Sequence, residues 1–262
     1  MARSEEKEWL NIVKAKFVHP AIVLWRAVEL KHIASVRASY SLEEPLLDLG
    51  CAEGNIADML FKERKILGLD NCWQLLSQNR KWVYKALVLA DACRMPYKNE
   101  QFGSIFSNCV IEHIPDISGL LNEAARILKK GGIFLFTVPS HNFADFLFFT
   151  RVFKRLGLAG LANWYKKDRN RRLNHFHCYD HQRWKEVLKE KGLNLLEYRY
   201  YMPEAATSFW DFSAALVLLF KIIPLSLFSE SLNKSLIRRL GKYYDMDSCD
   251  GGGLLIIAQK GA

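Results

Sequence analysis

No two of the six cysteines form a C-x-x-C pair or a repeated spacing; they stand alone at positions 51, 72, 93, 109, 178 and 249. This argues against a disulfide framework and fits free thiols in a reducing compartment, so a cytoplasmic protein is expected. The closest His/Cys grouping, His175, His177, Cys178 and His181, lacks a second cysteine pair, and no metal site is expected from it. No apolar leader follows the charged stretch Ala2 to Glu8, which disfavours secretion. Long apolar runs are also scarce. The best, 209–228 (FWDFSAALVLLFKIIPLSLF), is interrupted by Asp211, Lys221 and Pro224. A charge near the centre of a bilayer span is costly. The run therefore reads as a surface-lying or lid helix, or as a buried core or dimer helix, rather than as a transmembrane span. Acids are outnumbered: 28 against 37 bases give a net charge of +9. Between Arg151 and Arg172, Asp168 stands alone among eight bases. Such a run is either a solvated face or an attractor of phosphate groups, including an anionic membrane surface.

Half of the 262 residues are hydrophobic, enough for a sizeable core. The informative stretch is 46–55, Leu-Leu-Asp-Leu-Gly-Cys-Ala-Glu-Gly-Asn. A short apolar run ends at Gly50, a second glycine follows at Gly54, and Ile56, Ala57, Leu60 and Phe61 then recur at helical spacing. A buried strand, a glycine turn and a helix make a nucleotide site at the carboxyl end of the strand. The next strand, Lys65 to Asp70, ends in a carboxylate twenty residues after Gly50. That is the placement for accepting hydrogen bonds from both ribose hydroxyls. Ala86 to Ala90 leads to Asp91 and Ala92, where a carboxylate could accept from an adenine amino group. Gly103 to Asn108 ends in an amide. Four successive strands thus bring polar groups to one sheet edge.

Strand and helix alternate from 45 to 139, which predicts a parallel sheet covered on both faces. Residues 5–38 read as two helices broken at Pro20. Leu120 to Lys130 reads as a helix ended by Gly131-Gly132, with Lys129 and Lys130 at its negative end. The aromatic and basic stretch 141–180 breaks the alternation. A helix at Asp180 to Lys191, a sixth strand at Leu193 to Tyr200 and a last strand at Gly253 to Ala258 follow.

Asp48-Leu49-Gly50-Cys51-Ala52-Glu53-Gly54 resembles the first motif of class I S-adenosylmethionine-dependent methyltransferases. Leu69-Asp70, Ala90-Asp91-Ala92, Phe102 to His113 and Leu121 to Pro139 resemble the motifs that follow. The likeness covers about residues 40–140. In the turn, Ala52 stands where a glycine is common, and its methyl narrows the gap to the cofactor slightly. G-x-x-x-G in place of G-x-G-x-x-G disfavours a nicotinamide-dependent oxidoreductase.

The resemblance implies an α/β fold, a Rossmann-like doubly wound seven-stranded sheet whose last strand is antiparallel, with N-terminal helices and an α-helical insertion. It implies four regions. Residues 1–40 are a helical cover, and 41–140 the cofactor core. Residues 141–230 are an acceptor-binding insertion that carries a core helix and strand at 180–200. Residues 231–262 complete the core. Asp48, Gly50, Cys51, Ala52 and Gly54 would surround the methionine part of S-adenosylmethionine. Asp70 and Asn71 would take the ribose, Asp91 and Ala92 the adenine, and Asn108, Cys109 and His113 the floor. Arg26 faces either the methionine carboxylate or solvent. His141, His175 and His177 are base candidates, each with a structural hydrogen bond as the alternative. The expected acceptor is a small or lipid-like molecule. Nucleic acid is disfavoured, because Asn108 is followed by Cys-Val-Ile rather than a proline-aromatic pair. A catalytically silent binding protein at a membrane surface is the rival reading.

Overall fold

The computed structural model describes residues 8–17, 19–61, 66–79, 82–222, 240–246 and 248–261. Seven strands form one sheet: β1 Leu46–Leu49, β2 Ile66–Asp70, β3 Tyr84–Leu89, β4 Phe102–Asn108, β5 Leu128–Pro139, β6 Leu193–Tyr201 and β7 Gly253–Lys260. Their order is β3-β2-β1-β4-β5-β7-β6. The β1–β2, β1–β4, β2–β3 and β4–β5 pairings are parallel, and β7 runs antiparallel. The order reverses at β1, and such a switch point opens a crevice beyond the carboxyl ends of the strands.

Burial explains which strands lie where. Every residue of β1 is buried, as is β5 from Gly132 to Pro139, so both are mostly apolar, with Asp48 and Thr137 as buried polar exceptions. At the sheet edge, β6 alternates between less and more exposed positions from Asn194 to Arg199, the period of a half-solvated strand.

Two compact units divide the chain. The unit of 34–139, 174–199 and 254–262 holds most of the sheet. Its helices include α3 Asn55–Leu60, α4 Trp73–Ser77, α5 Ile117–Ile127 and α8 His181–Lys189. Asp116 caps α5 by accepting the Gly119 N–H at 2.8 Å, and Asp180 caps α8 through the Arg183 N–H at 2.7 Å. The fully buried Trp184 of α8 meets Phe136 edge-on, centroids 5.1 Å apart.

The other unit comprises 1–33, 140–173 and 200–253. It contains α1 Glu8–Lys16, most of α2 Pro20–Arg37, α6 Phe148–Arg155, α7 Ala159–Arg172 and α9 Glu204–Ile222. Pro20 opens α2, where its missing N–H costs nothing. Trp25 of α2 sits among Phe143, Tyr201 and Trp210, each with centroids within 5.8 Å. Asp211 of α9 is buried, accepts the Tyr165 hydroxyl at 2.8 Å and lies 3.4 Å from Arg169. Burial pushes its pKa upward.

Two sequence expectations change. The helix expected at Leu120 to Lys130 instead spans Ile117–Ile127, and Lys129 and Lys130 belong to β5. The Asp116 cap sets the start three residues earlier than the apolar pattern suggests, and Phe102 pairs with Leu128, recruiting the chain into the sheet. The run 209–228 begins inside α9, which reaches Ile222, and its remainder lies outside the described residues. Among the described residues no helix is long and apolar enough to cross a membrane.

Replacing the cap, Asp116→Ala, should cost about 1 kcal/mol of stability, read from the urea midpoint. An unchanged midpoint would show that the cap contributes nothing.

Candidate active site

The turn after β1 is built by backbone conformation and by the end of β2. Gly50 and Gly54 each have φ of 78°, and Ala52 has φ of 43°. At Gly50 a Cβ would sit 2.3 Å from Val110, and at Gly54 it would sit 2.8 Å from the Asn79 amide oxygen. Both positions therefore need glycine for conformation and for space. The carbonyl of Leu69 accepts the N–H groups of Gly50 and Cys51 at 2.7 and 3.1 Å. Asp70 continues this clamp: Oδ2 accepts the Ala52 N–H at 2.9 Å and Oδ1 the Cys72 N–H at 2.8 Å. Asn79 donates to the Ala52 carbonyl at 2.5 Å.

Beneath the turn, Asp48 is buried and accepts the Tyr84 hydroxyl at 2.6 Å. Burial pushes its carboxyl up to about 7; the Tyr84 hydrogen bond pulls down and the Asp70 charge pushes further up. Burial likewise raises the Cys51 thiol, so Cys51 acts as a small apolar filler rather than a nucleophile. Asn71 is exposed just past β2. Asp91 is exposed beyond β3 and accepts the Cys93 N–H at 2.8 Å; Ala92 beside it is buried. At the end of β4, Asn108 donates to the Thr137 hydroxyl at 2.6 Å. Cys109, at φ of 52°, donates its N–H to the Thr137 carbonyl at 3.0 Å.

The structure thus gathers Asp48, Gly50, Cys51, Ala52, Gly54 and Asp70 around one turn, sets Asp91 and Ala92 just beyond β3, and places Asn108 and Cys109 at the end of β4. Tyr84, Asn79 and Thr137 escaped sequence reasoning. Tyr84 and Thr137 lie on strands read only for their apolar residues, where a polar residue was the available signal, and Asn79 lies just past the end of α4. Arg26 lies in the other unit, paired with the buried Glu29 at 2.5 Å. His141 is also in that unit, exposed and 6.0 Å from the Tyr200 ring.

His177 is buried, with Nε2 2.9 Å from the Ile114 carbonyl and Nδ1 3.0 Å from the Tyr179 hydroxyl. A carbonyl only accepts, so Nε2 carries the proton and Nδ1 takes the tyrosine hydrogen. Both nitrogens are spent on holding the 174–179 segment. His113 and His175 face each other, centroids 5.5 Å apart.

Residues 47–136 match the methyltransferase domain family model. Residues 47–136 are a class I methyltransferase domain. A malonyl-[acyl-carrier protein] O-methyltransferase of Hamiltonella defensa is 30% identical over 94 residues, covering 35% of this chain. The chain spans only 36% of that relative's length. A phosphoethanolamine N-methyltransferase 2 of Haemonchus contortus, solved with S-adenosyl-L-methionine, shares the fold at a TM-score of 0.57 and 17% identity. That likeness covers 88% of this chain and 52% of that one. The [4+2]-cyclase SpnF aligns at a TM-score of 0.55 and 16% identity, over 91% of this chain and 82% of its own. The fold by itself therefore does not fix the reaction.

The raised Asp48 pKa has a signed consequence. A carboxyl that moves from 3.8 to about 7 on folding lends its full stability below pH 4 and loses it as pH rises through 7. Urea unfolding of wild type and Asp48→Asn from pH 4 to 8 should show wild type losing more than about tenfold in folding constant relative to the variant. A pH-independent difference would contradict the assignment.

Proposed function

We propose that this methyltransferase domain transfers a methyl group from S-adenosylmethionine to a small-molecule or lipid-like acceptor. The supporting observation is electrostatic. Two acids, Asp48 and Asp70, stand on adjacent strands under one turn, and Asp48 is so buried that its ionised form is disfavoured. A cationic ligand would relieve that cost. S-adenosylmethionine carries both an ammonium and a sulfonium, and its ribose offers hydroxyl donors. The donor set therefore fits this cofactor.

In this reading Asp48 and the Gly50–Gly54 turn hold the methionine part. Each Asp70 oxygen already takes one backbone N–H, and a carboxylate has further acceptor capacity for ribose hydroxyls. Asp91 and Ala92 meet the adenine, and Asn108, Cys109 and His113 line the floor. When bound, the cofactor supplies a methyl group already activated by the positive sulfur. The chain must align an acceptor and exclude water, and alignment contributes about 7–11 kcal/mol. A hydroxyl acceptor would also need a base, worth about 10²–10⁴-fold. Both His177 nitrogens are already engaged, so that residue is not available for the role. The malonyl-carrier and phosphoethanolamine relatives support an acceptor outside nucleic acid.

A separate observation favours a membrane-facing acceptor. Around the α6–α7 connection, Leu156, Leu158, Leu161 and Trp164 are all at least 40% exposed. Arg155, Lys167, Arg171 and Arg172 are exposed or half-exposed beside them in sequence. Apolar insertion and charge attraction act together at anionic bilayers.

Two measurements test the reading. Calorimetric titration with S-adenosylmethionine should show Asp70→Ala weakening binding more than about tenfold, since buried hydroxyls lose their acceptor; equal affinity would place the ribose elsewhere. Cosedimentation should capture the protein on phosphatidylserine-rich vesicles but not on pure phosphatidylcholine, and Trp164→Asp should abolish it. Equal recovery on both, or an unaffected variant, would remove the membrane from the account.

A further inference from the structure

One cluster in the sheet-bearing unit has no part in holding the turn. After β4 the chain makes a single 3₁₀ turn, Ile111–His113, which brings the buried Glu112 and the exposed His113 together. His175 comes from a distant stretch of the same unit. One carboxylate oxygen of Glu112 and one nitrogen each from His113 and His175 all lie within 4.8 Å of one another.

The two stretches are tied by backbone. The Phe176 N–H donates to the Glu112 carbonyl at 2.8 Å. His177 Nε2 donates to the Ile114 carbonyl at 2.9 Å. His113 Nδ1 lies 3.2 Å from the Asn174 carbonyl. Because that oxygen only accepts, Nδ1 carries a proton, and in the neutral ring Nε2, the nitrogen on the Glu112 side, is the one left to bind a metal. This is how metal-binding imidazoles are oriented: the second nitrogen is held by a carbonyl or carboxylate, which fixes the tautomer. His113 Nε2 and Glu112 Oε1 stand 3.7 Å apart, too far for a hydrogen bond. Around a tetrahedral zinc ion with bonds of about 2.0–2.2 Å, ligand atoms sit about 3.3–3.6 Å apart.

We propose that Glu112, His113 and His175 form a binding site for a first-row divalent cation, zinc foremost. Two imidazoles and a carboxylate are a nitrogen–oxygen set suited to zinc and its neighbours rather than to calcium or magnesium. Three protein ligands leave a fourth position for water or a ligand oxygen, and the exposed His113 ring marks the solvent side. The site does not depend on the methyl-transfer reading, because all three ligands are supplied by the chain.

Cobalt(II) is the probe, since it occupies zinc sites and absorbs visible light when held by protein ligands. Tag-free full-length protein, stripped with chelator and without S-adenosylmethionine, is titrated with cobalt and then challenged with zinc. One equivalent should bind, with visible bands that zinc abolishes. His113→Ala, a change at an exposed side chain, and His175→Ala should each weaken cobalt at least tenfold while far-ultraviolet dichroism stays that of the wild type. The proposal is overturned if wild type takes up no cobalt, or if His113→Ala binds it as tightly as wild type. Because no methyl donor is present, either result is independent of cofactor binding.

Discussion

The carboxylate of Asp70 fastens two backbone turns at once, and the candidate site is organised around it. One oxygen receives the Ala52 N–H from the turn after β1, the other the Cys72 N–H from the turn after β2. The Leu69 carbonyl adds the N–H groups of Gly50 and Cys51. Ala52 can occupy the left-handed region, at a cost of about 1–2 kcal/mol, because these bonds over-determine it. The glycine turn is thus a loop bolted onto the end of the adjacent strand. Its bolts are backbone amides that would otherwise be orphaned where the strand ends.

The same arrangement accumulates negative charge. Asp48 lies under the turn, accepts a tyrosine hydroxyl, and has its pKa raised further by Asp70. Elsewhere the molecule treats buried acids differently. Glu29 is buried beside an arginine and a tyrosine, and Asp211 beside an arginine and a tyrosine. Asp48 and Asp70, by contrast, are held by a tyrosine hydroxyl and by backbone N–H groups, with no arginine or lysine paired to them among the described residues. That contrast separates acids that stabilise the fold from acids poised for a positively charged ligand.

Much of this was legible in the residues. The alternation from 45 to 139 gave the parallel core, and the apolar runs ending in Asp70 and Asn108 located the sheet edge. The glycines at 50 and 54 adopt the positive φ their spacing implied. Less visible were contacts between distant residues. Nothing local says that Tyr84 reaches Asp48 or that Thr137 holds Asn108, because register joins residues 36 and 29 positions apart. Helix limits also failed where capping and pairing compete with periodicity: Asp116 starts α5 early, and pairing of Leu128 with Phe102 ends it before the lysines. His113 and His175 were weighed singly, since a separation of about sixty residues conceals their approach.

The central claim is that acids and amides at the ends of β1 to β4 form one rim that receives an adenosyl sulfonium. A crystal structure of the full chain soaked with sinefungin tests this most directly. The account predicts ribose hydroxyls within hydrogen-bond distance of Asp70, the amino-acid part against the Gly50–Gly54 turn, and the adenine beside Asp91 and Ala92. Density for the analogue away from this rim, or a saturated crystal with the rim unchanged and vacant, would contradict it.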